Sequence, residues 1–225
     1  GTWDGSSDLS IYFSYELQLT SAASTGPFQI TALDQRTSSP IGSRGAGIMV
    51  EDNGSGTGFY VGIMKGGQNG ANNAGNDAGI AWIGGVTGAS PTGATLFNYN
   101  TTLLVVGSYN FLGTTKSGQT SGNDADTADL WVNPDSSSFG GSSAPGGNVE
   151  ASKTSASKFD LSNIASLDLI QSDGSANAAP NGEIDDLRVG LTWADVTPVA
   201  APEPSTLALG ALALVGLGWT RFRRK

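Results

Sequence analysis

Hydrophobic and polar residues alternate along most of the chain up to about residue 200. The clearest stretch is Ile11–Leu19, which reads I-Y-F-S-Y-E-L-Q-L and places its large apolar side chains on one face. A period of two residues indicates a β-strand with one buried face. Similar runs, separated by turn residues, predict nine further strands. They are Phe28–Leu33, Gly47–Glu51, Phe59–Met64, Ile80–Ile83, Thr95–Tyr99, Leu103–Phe111, Asp129–Asn133, Ile164–Gln171 and Glu183–Gly190.

The segments between these strands are polar, and many are rich in glycine, serine or asparagine. Asp52-Asn53-Gly54 is a hairpin signal between two of the strands. Leu103–Phe111 begins with apolar residues on both faces, which is typical of a central strand. No stretch before Ser205 shows ten residues of helical period. The pattern therefore predicts an all-β fold, an antiparallel sandwich.

The C-terminal end has a different pattern. Residues 205–220 carry no charge, and Arg221, Arg223, Arg224 and Lys225 follow them. As a helix this run would span about 24 Å, against roughly 30 Å of bilayer hydrocarbon. A buried core helix is the alternative, but the run lacks a polar stripe. We expect a transmembrane helix at 205–220 and a basic cytoplasmic tail at 221–225, since basic residues mark the cytoplasmic side.

The segment as a whole resembles a known sorting signal. Pro202-Glu203-Pro204, a short apolar run and an arginine-rich end are similar to the PEP-CTERM signal of exopolysaccharide-producing Gram-negative bacteria. The resemblance implies export, exosortase as a partner and cleavage near the proline pair. It places the protein in the inner membrane before sorting, and then at the cell surface or in the extracellular matrix. The residues of the signal are Pro202, Glu203, Pro204, Arg221, Arg223, Arg224 and Lys225.

The charge balance excludes some partners. Of 11 basic and 20 acidic residues, four basic residues and Glu203 belong to the tail; 7 basic and 19 acidic residues remain, a net charge of −12. Such a surface repels phosphate backbones, so we expect no nucleic acid partner. The chain contains no histidine and no cysteine. The commonest general base and the usual activator of a serine nucleophile are therefore missing.

The start of the chain is unusual for an exported protein. Gly1 is not an initiator methionine, and no charged segment with an apolar run follows it. We interpret the chain as truncated at its N-terminus.

Three segments resemble a larger domain family. Thr101–Phe111, Asp126–Pro134 and Gly182–Pro198 are similar to the C-terminal half of concanavalin A-like, laminin-G-like domains. The resemblance implies a jelly-roll sandwich. The predicted organisation is a laminin-G-like sandwich at 1–198, a linker with the Pro-Glu-Pro motif at 199–204, the membrane helix at 205–220 and the basic tail at 221–225.

One strand invites a catalytic interpretation. Glu183-Ile184-Asp185-Asp186-Leu187-Arg188 resembles the catalytic strand of laminarinase-type glucanases, whose nucleophile, helper aspartate and acid/base lie on one face. Glu183 and Asp185 match the first two places. The third falls on Leu187 or Arg188, which cannot transfer the proton. We predict that the protein is not an enzyme and that Leu187 and Val189 fill the core.

The sequence evidence for other binding residues is weaker. Asp124, Asp126 and Asp129 have a spacing that could hold calcium, although a solvated acidic loop is commoner, so the prediction is no cofactor with calcium left open. Trp3, Trp82, Trp131 and Trp193 could stack on sugars, but aromatic core filling is favoured. Alternation in Asp129–Asn133 places Leu130 and Val132 in the core and a partly covered Trp131 on the opposite face.

These observations predict an exported surface or matrix protein with a non-catalytic sandwich. A lectin-like module that binds extracellular polysaccharide, with or without calcium, is the alternative. Asn53-Gly54-Ser55 and Asn100-Thr101-Thr102 fit the glycosylation pattern, but we interpret both as turns.

Overall fold

The computed structural model describes residues 3–4, 8–22, 26–35, 43–68, 79–111, 126–146, 149–151, 161, 163–171 and 179–199. Within them the chain forms fourteen strands, one short helix and a 3-10 turn. They are Trp3–Asp4 (β1), Leu9–Ser21 (β2), Phe28–Asp34 (β3), Ser43–Asp52 (β4), Gly58–Gln68 (β5), Ala81–Trp82 (β6), Val86–Thr87 (β7), Phe97–Asn98 (β8), Thr102–Phe111 (β9), Thr127–Val132 (β10), Val149–Ala151 (β11), Asn163–Ile164 (β12), Ser166–Leu169 (β13), Asn181–Gly190 (β14), Trp193–Val196 (α1) and the turn Ser136–Ser138.

Two antiparallel sheets form a sandwich. One has five strands in the order β11-β10-β9-β2-β14, and the other has the order β13-β3-β4-β5-β6-β7, with β8 also paired to β5. β1 and β12 form a separate two-stranded ribbon. The long hairpin β4–β5 is closed at the predicted Asp52-Asn53-Gly54 signal. The prediction of an all-β antiparallel fold is confirmed.

The main core lies between the two sheets. On β2, the five side chains at odd positions from Ile11 to Leu19 are all at most 3% exposed. They pack against apolar side chains of β3, β4 and β5. Tyr15 and Thr31 hydrogen-bond across the two sheets, with 3.0 Å between their oxygens. β9 lies between β2 and β10, as its two-sided apolar pattern predicts.

Each sheet also carries a smaller core on its outer face. On the five-stranded sheet, Val106 and Trp131 pack against Trp193 and Val196 from α1. On the seven-stranded sheet, Met49, Met64, Ile80 and Trp82 form a second cluster. The sandwich is thus covered locally on both sides, and residues on its outer faces are not all exposed to solvent.

Most strand predictions are confirmed, with changes at the ends. The predicted strand Ile164–Gln171 is divided in two, because Asn163–Ile164 pairs with β1 whereas Ser166–Leu169 pairs with β3. Short strands such as β7 and β11 were not predicted, since two or three residues cannot show a period. The predicted membrane helix at 205–220 lies outside the described residues. Among those described, no helix combines the length and apolar character needed to cross a membrane.

Candidate functional site

The sorting signal at 202–225 lies outside the described residues, but the segment that leads to it is well defined. Helix α1 begins after Thr192, whose hydroxyl accepts a hydrogen bond from Asp195 N while the Asp195 carboxylate accepts from Thr192 N. This is a capping box. The hydrogen bonds from Thr192 and from Leu191 N hold the pKa of Asp195 below its ordinary value.

Helix α1 is tied to the sandwich at its C-terminal end. Ser14 Oγ, on β2, donates to Val196 O at 2.6 Å. Thr197 Oγ1 donates to Trp193 O at 2.8 Å, and Gly140 N donates to Thr197 O at 2.7 Å. Val199, two residues later, is 64% exposed. The chain is therefore held by hydrogen bonds as far as Thr197, and Val199 is exposed.

The tryptophan side chains whose positions are described are buried. Trp82, Trp131 and Trp193 are at most 3% exposed. Each indole N–H donates to a loop carbonyl, which shows that loops close over the rings. The acceptors are Gly88 O for Trp82, Pro145 O and Gly146 O for Trp131, and Ser138 O for Trp193. The core interpretation is correct for these three rings, and they offer no platform for a sugar.

Trp131 is on the predicted face of β10 but in a different environment. Leu130 and Val132 are in the main core, as predicted. The expectation that Trp131 is only partly covered is wrong, because α1 and the 134–146 loop bury its ring from above. The alternation along the strand predicts the face, whereas the covering layer comes from the loop that follows β10 and from α1, which is distant in the sequence.

The acidic strand β14 forms an edge of the five-stranded sheet. Glu183 lies opposite Gln18 and Asp185 opposite Glu16, which places the two carboxylates on the outer face. The register then shifts before Arg188 meets Ser14, and Asp186 takes a left-handed conformation with φ of 51°. This is a β-bulge.

The apolar side chains that follow the start of the bulge are exposed. Leu187 and Val189 are 44% and 40% exposed, so the prediction that they fill the core is wrong. Leu187 lies in the bulge, and an edge strand has no neighbour on its far side among the described residues to cover Val189. Ile184 alone of this group packs against the main core.

The β2–β14 pairing brings three carboxylates together on this surface. Glu183, Asp185 and Glu16 are all exposed. The proton donor of a glycosidase needs a shielded environment that favours its neutral form. Asp186 and Arg188 approach to 4.0 Å, an exposed ion pair of small energetic weight. Glu16 could not be associated with this group from the sequence, because only the β2–β14 register brings it opposite Asp185.

The predicted acidic cluster at Asp124, Asp126 and Asp129 is not assembled. Asp124 lies outside the described residues. Asp126 is buried and accepts a hydrogen bond from the core hydroxyl of Tyr109 at 2.9 Å, whereas Asp129 accepts from Asn110 Nδ2 at 2.7 Å. The two lie on opposite faces of the sheet and cannot share one ion. In the described part of the chain, no three histidine, cysteine, aspartate or glutamate side chains are grouped to hold a metal.

A cleft of about 490 Å³ opens between the two sheets at the β13–β14 end of the sandwich. Its inner wall is apolar and includes Leu17, Leu19 and Ile30. Exposed polar residues, among them Gln171 and Asn181, also line it. The volume falls within the range of small-molecule sites. No sequence pattern predicts this cleft, because its walls come from four separate strands.

A buried charge cluster lies on β3, β4 and β13 of the seven-stranded sheet. Arg44 is 3% exposed, and its Nε lies 3.6 Å from an Asp168 carboxylate oxygen. Arg44 also donates to Gln29 Oε1 at 3.3 Å. Burial and the nearby Asp34 carboxylate raise the pKa of Asp168, and Arg44 offsets part of that rise. Arg44 is buried and its side chain is held by Asp168 and Gln29. We therefore assign a role in stability to this cluster.

Comparison with known proteins bears on the C-terminal end. Residues 200–225 match the family described as the PEP-CTERM protein-sorting motif. No curated protein and no solved structure matches the chain at a significant level. The chain thus carries a PEP-CTERM sorting motif after an antiparallel β-sandwich. The motif implies an exported protein that is targeted to exosortase and anchored transiently in the membrane.

Proposed function

We propose that this protein is a non-catalytic β-sandwich that exosortase releases or anchors at the cell surface or in the extracellular matrix. The observation that carries the proposal is the sorting motif at 200–225. It begins three residues after Thr197, the last residue whose hydrogen bonds to the sandwich are described above. In this proposal the sandwich covers 1–198, residues 199–204 are the linker, the helix at 205–220 enters the membrane and 221–225 stay in the cytoplasm.

The proposed sandwich type is concanavalin A-like or laminin-G-like, with a jelly-roll topology. Two neighbouring antiparallel strands, β9 and β10, carry two of the three resembling segments. The third covers β14 and α1, which belong to the same sheet and its outer layer. The resembling segments are therefore contiguous in space, as a shared domain type requires.

The absence of catalysis is supported by the composition and by β14. The chain has no histidine. Its outer-face carboxylates are exposed, and the third place of the glucanase pattern is a bulge. We infer a structural or adhesive role, in which an acidic surface carrying net negative charge faces the extracellular polymer. Nucleic acid is not among the proposed partners.

Processing can be tested in a host that carries exosortase. Wild-type protein should lose the tail and accumulate outside the inner membrane. Pro202→Ala combined with Pro204→Ala should retain the unprocessed form in the membrane, whereas Pro198→Ala, a proline outside the motif, should behave as wild type. A chain ending at Pro198 should not partition into membranes. Processing of the double variant at the wild-type rate would refute the role of the proline pair.

The inter-sheet cleft favours the alternative function, a carbohydrate-binding module. A polar mouth over an apolar wall can hold a small polar ring system. Glycan-array binding, with and without a chelator, would test this and the requirement for calcium. Asn181→Ala should weaken retention if the cleft binds glycan, and Asn98→Ala, an exposed asparagine on β8, is the matched control. Equal retention by both variants would exclude the cleft.

A further inference from the structure

The tip of the β4–β5 hairpin carries a dense set of hydrogen bonds around Asn53. Its Oδ1 accepts from Ser55 N at 3.0 Å and from Ser55 Oγ at 2.9 Å. Its Nδ2 donates to Thr57 Oγ1 at 2.8 Å. The side chain is therefore folded forward along the chain, over the Gly54 peptide that lies between Asn53 and Ser55. Both polar atoms of the amide group are held.

The preceding residue acts on the Gly54 backbone. Asp52 Oδ1 accepts from Gly54 N at 2.6 Å, and Asp52 Oδ2 accepts from Tyr99 OH at 2.5 Å. The Tyr99 hydroxyl in turn accepts from Ala22 N at 3.0 Å. Burial and the Asp52 carboxylate raise the pKa of Tyr99 to about 12, so it stays a donor at neutral pH. Tyr99 thus holds the Asp52 carboxylate against the Gly54 N–H.

We propose that Asn53-Gly54 is a self-modification site, at which the turn converts Asn53 into aspartate and isoaspartate through a succinimide. Gly54 N attacks Asn53 Cγ and forms a new C–N bond, while its proton passes to Asp52. The Cγ–Nδ2 bond then breaks, and the departing NH2 group takes that proton from Asp52 and leaves as ammonia. Water opens the succinimide ring at either carbonyl, which gives the two products. Water is the only other reactant, and no oxidation or reduction occurs.

Three hydrogen bonds of the tip have a role in this reaction. Asp52 touches the attacking nitrogen and acts as its general base. Ser55 N and Ser55 Oγ touch the oxygen on which negative charge develops, as the donors of an oxyanion hole do. Gly54 has φ of 77°, and a side chain there would meet open space, so nothing obstructs the attack. The nucleophile and electrophile are adjacent residues held in one turn.

The chain contains an internal comparison. Asn181-Gly182 is the same dipeptide, but it lies at the start of β14, where Gly182 pairs with Leu19. Asn181 Nδ2 donates to Ser21 Oγ at 3.0 Å, which directs this side chain toward β2. A Cβ at Gly182 would lie 2.3 Å from Gln18 O, so the glycine is packed against the neighbouring strand. This second site should react slowly. Asn69-Gly70 lies outside the described residues.

The modification would change the hairpin. Asn53 N donates to Gly58 O at 3.1 Å and closes the turn. An isoaspartate adds a backbone atom at this position, and either product places a second carboxylate beside Asp52. Like charges on adjacent residues repel. We expect the tip to open, and the change to be irreversible without enzymatic repair.

The test is a timed incubation of the full chain near neutral pH, with peptide mapping by mass spectrometry and isoaspartate detection. Asn53 should convert at least about tenfold faster than Asn181, a difference of about 1.4 kcal/mol in activation free energy. Asp52→Asn keeps an acceptor for Tyr99 but removes the base, and should slow Asn53 severalfold. Ser55→Ala should slow it as well. Asp135→Asn, at another exposed turn, should leave the rate at Asn53 unchanged.

A second measurement separates the folded turn from the dipeptide itself. In urea the hydrogen bonds of the tip are lost, so conversion of Asn53 should slow to the rate of Asn181. A faster reaction in urea would mean that the folded turn protects Asn53, and would overturn the proposal. Equal rates at Asn53 and Asn181 in the folded protein, or a wild-type rate in Asp52→Asn, would overturn it too.

Discussion

The rings of Trp131 and Trp193 meet edge to face, with centroids 5.0 Å apart and 62° between their planes. Trp131 belongs to β10 and Trp193 to α1, so this contact joins the outer face of the five-stranded sheet to the last helix before the sorting motif. Tyr12 contacts both rings, with centroids at 6.3 Å. The segment that leads to the sorting motif is therefore held by an aromatic cluster of its own.

Truncation of Trp131 should destabilise the fold as strongly as a change in the main core. Trp131→Ala leaves a cavity among buried rings, with an expected loss of about 3–5 kcal/mol in the free energy of unfolding. Val132→Asp buries an unpaired charge and should cost on the order of 3 kcal/mol. Urea melts of both variants measure this. A loss of only about 1–2 kcal/mol for Trp131→Ala would restore the sequence expectation of a partly covered ring.

The contact between the two rings can be measured separately. A double-mutant cycle of Trp131→Leu and Trp193→Leu should give a coupling free energy of about 0.5–1.5 kcal/mol. Additive losses would show that the rings pack independently against the sheet.

The buried hydroxyl of Tyr109 should contribute to the stability of the fold. It donates to Asp126 at 2.9 Å and accepts from Leu161 N at 2.7 Å. Tyr109→Phe leaves a buried carboxylate oxygen and a buried N–H without this partner, at a cost of about 1–3 kcal/mol. Tyr12→Phe, on the half-buried outer face, is the control and should change the melt little. Equal melts for the two variants would contradict this role.

Gly107 should not tolerate a side chain. A Cβ there would lie 2.3 Å from Phe13 Cζ, so the ring has to shift within a filled core. We expect Gly107→Ala to cost about 1–3 kcal/mol through overpacking. At Gly146 a Cβ meets nothing within 4 Å, and Gly146→Ala should change stability by less than about 0.5 kcal/mol. Thermal or urea melts distinguish the two, and a neutral Gly107→Ala would show that Phe13 moves freely.

The charge cluster around Arg44 should make stability depend on pH in an unusual direction. Burial and Asp34 raise the pKa of Asp168 above the value in the unfolded chain. As pH falls through the raised pKa, the folded state binds a proton first, so this group adds stability; the gain is complete below the unfolded pKa. The unfolding free energy of the wild type, relative to that of Asp168→Asn, should therefore increase from pH 7 to pH 4.

Asp135 supplies the opposite control. Hydrogen bonds from Ser137 lower the pKa of Asp135. Its contribution is present above the unfolded pKa and is lost as pH falls through the lowered one. The difference between wild type and Asp135→Asn should therefore shrink in strong acid. A difference for Asp168→Asn that stays constant with pH would contradict the raised pKa.

No hydrolysis of β-glucans is expected. The place of the proton donor is occupied by Leu187, within the bulge, or by Arg188, directly after it, and Glu183 and Asp185 are exposed. Reducing-sugar release from laminarin or lichenan should stay at background, for wild type and for Glu183→Gln alike. Release by the wild type that disappears in Glu183→Gln would refute the prediction, and release by both would indicate a contaminant.

Much of the fold was predictable from local patterns. The period of two residues in Ile11–Leu19 and Leu103–Phe111 reflects burial on one or both faces of a strand, which neighbouring residues encode. The hairpin at Asp52-Asn53-Gly54 follows from the turn preference of three adjacent residues. The sorting motif at 200–225 is also contiguous, and its match is therefore visible without a structure.

Tertiary structure decided what covers each face and which distant residues meet. Alternation assigned Trp131 to the outer face, but only the packing of α1 made that face a second core. The bulge at Asp186 shifts the register, so that Arg188 lies opposite Ser14 and Val189 opposite Phe13. Tyr99 reaches Asp52 across 47 positions of sequence. These relationships depend on long-range contacts, and the sequence around any one residue carries no record of which distant segment folds over it.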